Sequence, residues 1–368
     1  MTATPSNPQG NRLRPGISLD QIESAIRGSG YPLQTVVAAQ LRESFSVEEE
    51  WAYTDRNTGQ TRTLDLWAEL RRQAGINEGY HRVRPRLNLL IECKQSELPY
   101  VFFLRRQQTV PDFPLIAGLR SDTIQLKTDD DRSTYSYSIL TVLNLIFDPF
   151  LKDVAACSTF SRIVRKGKII ELSGSDVYNG IVMPLMSATM HFDSLSRPRD
   201  TAAYYDAHLV VPLAVLDSPM IGVEGYGDSQ KLSFIPWVRI LRSEPSQEMT
   251  GGGHRGELFA IDVVHKDYFQ DYLSNWLQPF AEQFRQLALK HSEELATGLG
   301  FVSGLGRGNP WPLEQNLTPA TAPLPPMPVV IDEPIAVALL RIRWDLIRRR
   351  LQQRRIRRQQ RLRRRRVK

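Results

Sequence analysis

Two stretches of this chain repeat with a period of two, and that spacing admits a strand and little else. In Leu64-Asp65-Leu66-Trp67-Ala68, the side chains of Leu64, Leu66 and Ala68 share one face and Asp65 stands on the other. In Leu89-Leu90-Ile91-Glu92-Cys93-Lys94, Leu89, Ile91 and Cys93 point toward a core, while Glu92 and Lys94 emerge together on the opposite side. If the two strands pair antiparallel, two carboxylates and one ammonium converge on one spot.

The surroundings read as helix followed by antiparallel meander. Residues 18–27 predict a short helix with Ser18 or Asp20 as its N-cap, closed by Gly28-Ser29-Gly30. A second helix starts near Pro32, buries Leu33, Val37 and Leu41, and stops near Phe45. Strands are expected at 47–53, 61–70 and 87–94, the first two joined by a turn at Asn57-Thr58-Gly59. Further along, 100–104 reads as a strand, 176–192 as a helix, and 207–216 as a strand buried on both faces despite Pro212. Residues 234–241 and 258–264 add two strands, and 269–297 an amphipathic helix.

The trio suits phosphoryl chemistry. Cleaving a phosphodiester requires neutralising its charge and making a water nucleophilic, and carboxylates that hold Mg²⁺ do both. Asp65 and Glu92 fit that role. An ammonium two residues from a metal-holding carboxylate, on the same face, can hold the attacking water and stabilise the pentavalent phosphate, which is where Lys94 falls.

Arg62-Thr63-Leu64-Asp65 followed by Leu90-Ile91-Glu92-Cys93-Lys94 resembles the D...(D/E)XK signature of the restriction-endonuclease-like, PD-(D/E)XK, nucleases. The resemblance implies an α/β fold with a central mixed β-sheet flanked by helices, and hydrolysis of a phosphodiester in nucleic acid, DNA before RNA. It implies Mg²⁺, with Mn²⁺ as the alternative, held by Asp65, Glu92 and the backbone carbonyl of Cys93, with Lys94 serving the water. The Cys93 side chain has no role in it. Many relatives carry an acid on the first helix; this chain has Gln34 there, whose amide oxygen is the expected substitute, and Glu43 is the weaker one. Duplex cleavage by such a fold usually calls for two copies of the site, hence a homodimer. A nuclease-like fold kept for binding, or a scaffold, are the competing readings.

Charge is unevenly spread. Residues 341–368 hold fifteen of the 47 Lys and Arg against one acid, Asp345, a net +14; the whole chain is +7, so the remainder is −7. Attraction to polyanions is therefore concentrated in a helix-forming tail, residues 335–368, with Arg348, Arg349, Arg350, Arg354 and Arg355 expected on phosphates. Its apolar stripe, Leu340, Trp344, Ile347 and Leu351, then fades, which suits a nucleic-acid clamp better than a membrane-surface helix. Arg62 and the link between the two strands, with Arg71, Arg72, Arg82, Arg84 and Arg86, are expected to follow a phosphate backbone too.

The expected organisation is a disordered start at 1–14, a nuclease domain at 15–297 with an insertion at about 105–175, a Gly/Pro-rich linker at 298–334, and the basic helix. Two cysteines in no ligand or redox spacing argue against a disulfide scaffold or a zinc module and for a reducing cytoplasm. No membrane span or leader is legible. Gly251-Gly252-Gly253 and the glycines of 298–308 lack the ending of a phosphate-cradling loop, no His pair is spaced for zinc, and no G-x-S-x-G elbow occurs.

Overall fold

The computed structural model describes residues 7–27, 29–56, 58–70, 81–105, 113–128, 133–225, 227–244, 257–305 and 311–320. The chain divides into two units, Met1–Leu324 and Pro325–Lys368. The second, with the expected Arg-rich helix, lies outside the described residues, as do residues 1–6 of the expected disordered start.

Two helices open the chain, α1 (Leu19–Arg27) and α2 (Tyr31–Leu41). Ser18 caps α1: its hydroxyl accepts from the Gln21 N–H at 3.2 Å and the Gln21 side chain accepts from the Ser18 N–H at 2.9 Å, satisfying donors that a helix start leaves orphaned. Pro32 stands at the first turn of α2, and Leu33, Val37, Ala38 and Leu41 form its buried face.

A mixed sheet follows. Its first strands are β1 (Phe45–Thr54), β2 (Thr61–Leu70), β3 (Val83–Gln95), β4 (Tyr100–Arg105) and β5 (Leu115–Ala117). After β6 (Thr123–Lys127) and β7 (Thr134–Ser138) come β8 (Ala156–Lys166) and β9 (Ile169–Ser173). The helix α3 (Met183–Ser196) leads to β10 (Tyr205–Asp217), β11 (Met220–Glu224), β12 (Lys231–Phe234), β13 (Trp237–Glu244) and β14 (Glu257–His265). Helices α4 (Gln278–Lys290) and α5 (Ser292–Thr297) precede β15 (Leu299–Val302) and β16 (Leu317–Pro319).

The large sheet runs β1-β2-β3-β10-β14-β13-β8-β4-β11-β12, with β5 beside β10 and β9 beside β8. The first three strands are the expected antiparallel meander, and β3, β10 and β14 then run parallel. Both faces are covered: Leu89, Ile91, Leu209, Val211 and Leu213 pack into a core shared with α2, α4 and α5, while Leu90, Val210, Ala214 and Leu216 pack into a second core under α3. Strands buried on both faces read as continuous apolar runs, which is why 207–216 carries so few polar residues. Pro212 fits inside it because β5 pairs β10 only as far as Val210 and β14 only from Leu213, so on that side no ladder partner stands opposite the missing N–H.

Two stretches behave differently from expectation. Within 105–175, β5 and β8 join the large sheet, and β6 and β7 form a second, four-stranded sheet with β15 and β16. The latter two strands lie in the stretch expected as a linker; Gly300 is tolerated there because Leu126 and Leu317 crowd the place a side chain would take. Composition signals a linker, but it is silent on distant pairing partners. Among the described residues no helix is long and apolar enough to cross a membrane.

Candidate active site

The alternation in β2 breaks at the residue that matters most. Leu66 and Ala68 enter one core, Leu64 the other, so the three do not share a face as the period of two predicts. The paired strand shows why. On β1, Phe45 and Val47 face the first core and Trp51 and Tyr53 the second, and the switch falls at Glu50, which adopts φ 53°, the left-handed region. Glu49 pairs Leu66 and Trp51 pairs Leu64, which sets Glu50 opposite Asp65. A non-glycine residue held there stores backbone strain of order 1–3 kcal/mol.

At the same point β2 parts from β3. Their pairing ends at Leu66 with Ile91, and beyond it the Asp65 side chain replaces the ladder: its Oδ2 accepts the Cys93 N–H at 2.6 Å. The N–H and C=O of one strand residue leave on the same side. The Cys93 carbonyl therefore faces the same opened gap, where it approaches Gly30 at the start of α2. Glu92 lies on the second-core face, 3% exposed, and Lys94 Nζ donates to its Oε2 at 2.5 Å. Asp65 and Glu92 stand within hydrogen-bonding reach of each other. The expected trio is thus brought together, at the carboxyl end of a parallel strand. One wall is the π-helical turn Tyr178–Val182, whose Gly180 faces the Lys94 side chain.

Gln34 reaches the site, though not through its oxygen. Its Nε2 donates to the Asp65 carbonyl at 3.0 Å and to Glu50 Oε1 at 3.1 Å. Both partners are acceptors, so chemistry dictates that the amide nitrogen faces them. Gln34 thus gives the Asp65 carbonyl a side-chain donor. The expected ligand is therefore a positioning residue, and the additional acid near the site is Glu50 from β1. Sequence reasoning missed Glu50 because it ends a run of three glutamates, Glu48-Glu49-Glu50, and alternation alone does not single it out. Glu43 lies exposed in the turn after α2.

The electrostatics follow from burying like charges. Burial pushes Glu92 up to about 7; the Lys94 ammonium pulls it down, but Asp65 and Glu50 add repulsion. Burial also raises Asp65, against the pull of Lys94 and the Cys93 N–H. For Lys94 burial works against the charge, yet Glu92 and Asp65 outweigh it and hold the ammonium above its usual range. Tyr53, beside the pair, is pushed up to about 12 by burial and then by Glu92, so it stays a neutral phenol. Burial, reinforced by both carboxylates, raises the Cys93 thiol well above its ordinary value, and its side chain lies in the first core.

A carboxylate raised on folding adds stability below its unfolded value and loses it as pH rises through the folded value. For Glu92 the window runs from 4.5 to about 7, which corresponds to about 3 kcal/mol lost by pH 8. Without divalent metal, Glu92→Gln should melt several degrees above the wild type at pH 8 and level with it near pH 4.5. Calorimetry across that range checks it, and equal melting temperatures at pH 8 would refute the raised value.

The expected cations divide. Arg62 pairs with buried Asp55 at 3.0 Å and acts electrostatically on Tyr53, near the site. Arg82, Arg84 and Arg86 lie at the other end of β3, the nearest roughly 20 Å from Glu92 along the strand. Each has a carboxylate: Arg82 has Glu293 at 3.3 Å, Arg84 has Asp206 at 3.0 Å, and Arg86 has Glu69 at 3.0 Å and Asp206 at 3.4 Å. They tie β3 to β2, β10 and α5 rather than reaching toward the trio. Arg71, Arg72 and the tail arginines Arg348, Arg349, Arg350, Arg354 and Arg355 lie outside the described residues.

No family model, curated protein or solved structure significantly matches the chain. Its chemistry has to be argued from the site alone. Among the described residues no three His, Cys, Asp or Glu side chains form a ready metal cage. Mg²⁺ does not require one, since it commonly takes one or two carboxylates and completes its octahedron with waters and substrate oxygens. Two hard oxygen donors held close together, both raised first by burial, with a backbone carbonyl beside them, are a donor set that suits such an ion.

Proposed function

We propose that this chain is a Mg²⁺-dependent phosphodiesterase acting on nucleic acid, DNA before RNA, built on a restriction-endonuclease-like core. The observation that carries the reading is the parting of β2 from β3 at Asp65, which gathers Asp65, Glu92, Lys94 and the Cys93 carbonyl around one gap. A solvated sheet face would also show Glu and Lys at alternate positions, but it would not bury Glu92 to 3% beside a second carboxylate.

In this reading Asp65, Glu92 and the Cys93 carbonyl hold the ion, with Mn²⁺ able to replace Mg²⁺. Bound there, a divalent ion would supply charge to offset that of the phosphate and to lower the pKa of a water. Lys94, kept protonated by its two carboxylates, would donate to the attacking oxygen and to a non-bridging phosphate oxygen on which charge develops. Gln34 holds Glu50 and the Asp65 backbone in place, so the carboxylate is aimed before substrate arrives. Cutting both strands of a duplex calls for a second copy of the site, hence a homodimer on DNA.

Purified full-length protein incubated with plasmid, single-stranded DNA and RNA should nick or linearise plasmid with Mg²⁺ or Mn²⁺ and leave it intact in EDTA. Intact nucleic acid under every metal, with salt-sensitive binding retained, would replace the enzyme by a binding protein.

A further inference from the structure

Among the described residues, the hairpin of β8 and β9 has no further strand partner beyond Ile163. Arg162 still pairs with Tyr100 of β4, and the Ile163 N–H bonds to the Pro99 carbonyl at 2.9 Å. Beyond that, among the described residues, 164–171 pair only with each other. The turn is Gly167-Lys168, with Gly167 at φ +63° and Lys168 outside the left-handed region. That primed geometry matches strand twist and needs glycine at the first position. Ile169, Ile170 and Leu172 are 65%, 58% and 54% exposed. Because 169 and 170 are neighbours, they point to opposite faces, so both faces of the ribbon are open.

The ribbon's charge is out of keeping with the rest of the molecule. Residues 162–173 carry Arg162, Arg165, Lys166 and Lys168 against Glu171, a net +3, within 340 residues that total −7. Lys166 pairs across the ribbon with Glu171 at 2.6 Å, an exposed contact of little worth. The root of the ribbon adjoins the candidate site: Arg162 bonds Tyr100, which feels the Lys94 charge, and reaches Asp176 at 3.8 Å ahead of the π turn.

We propose that this ribbon is a DNA-duplex arm that enters the major groove and seats the backbone against the gap between β2 and β3. The inference rests on the nuclease reading and adds the duplex and the element that grips it. A major groove about 12 Å wide admits a two-stranded ribbon, and three residues beyond Ile163 plus the turn extend roughly 10 Å, enough for a groove about 8.5 Å deep. Arg165, Lys166 and Lys168 then meet phosphates, and the exposed aliphatic side chains meet apolar base edges such as thymine methyls. The deep, narrow major groove of an RNA duplex excludes such an arm.

The test compares the full-length wild type with Arg165→Ala/Lys166→Ala/Lys168→Ala, titrating DNA and RNA duplexes of equal length across a salt series without divalent metal. The variant should bind DNA at least tenfold more weakly at about 0.15 M salt, with a log K against log salt slope shallower by about two to three. Its affinity for RNA should change less, and its melting temperature should not move. Unchanged DNA affinity and slope would overturn the arm, as would equal losses on both duplexes. So would Ile169→Ser/Ile170→Ser turning a dimer into a monomer while the charge variant binds normally, which would make the ribbon a contact between copies. Cutting by the wild type with normal variant binding removes the arm alone; binding without cutting, weakened in the variant, keeps the arm and removes the enzyme. A wild type that binds no duplex removes both.

Discussion

Asp65→Asn should lower Mg²⁺-dependent cleavage by about 10³-fold, and Lys94→Ala by about 10²–10³-fold, with DNA binding in EDTA within a few-fold of the wild type. The asparagine keeps an oxygen for the Cys93 N–H, so the strand geometry survives while the charge that would hold the ion is gone. Folding should not suffer. Burial already raises Asp65, so removing its charge relieves repulsion from Glu92 and Glu50. Single-turnover cleavage beside thermal melting separates the two effects. A variant that both unfolds and stops cutting would point to a structural acid; one that cuts normally would remove Asp65 from the centre.

Asp262→Ala should have the opposite signature, a loss of about 3–5 kcal/mol in folding stability. Asp262 is fully buried on β14 and takes a bidentate pair from Arg239 of β13, at 2.7 and 2.9 Å, plus the Tyr272 hydroxyl at 2.9 Å. The guanidinium is sandwiched among aromatic rings, 4.2 Å from the Phe113 centroid and 4.9 Å from that of Phe150. Removing the carboxylate strands a buried cation. Replacing both charges, as Arg239→Met with Asp262→Leu, should recover most of the loss, because an apolar pair leaves nothing unsatisfied. Urea titration measures each variant, and a single-variant cost under about 1 kcal/mol would mean the site relaxes or hydrates.

The two aspartates show how similar residues diverge by environment. Asp65 is penalised first by burial, against the pull of Lys94 and the Cys93 N–H, whereas Asp262 accepts from a guanidinium and a phenol at once. Glu50 at φ 53° adds backbone strain at the same place, with its carboxylate held by Gln34.

Local periodicity made part of this molecule legible. Which strands carry Asp65, Glu92 and Lys94, that Glu92 and Lys94 share a face, and that a capped helix and a second apolar-faced helix precede them are consequences of geometry within a few consecutive residues. The extent of β10 and the helix after β9 were readable for the same reason. The convergence of the trio depends on β2 and β3 pairing antiparallel, and they do.

What adjacency in sequence does not encode is where a ladder stops and which distant charge answers another. Arg84 and Arg86 looked like phosphate ligands until Asp206, some 120 residues away, took them. The Leu64 face and the arrival of Glu50 opposite Asp65 depend on the register and backbone twist of the β1–β2 hairpin, and the amide orientation of Gln34 and the joining of β8 and β15 to sheets depend on contacts across longer separations. The sequence by itself determined the residue types of the candidate centre and the strands that present them, because side-chain alternation is local. Only the tertiary structure decided that β2 parts from β3 at Asp65 and that a basic ribbon stands beside the gap, because those outcomes turn on long-range partners that no window of neighbouring residues contains.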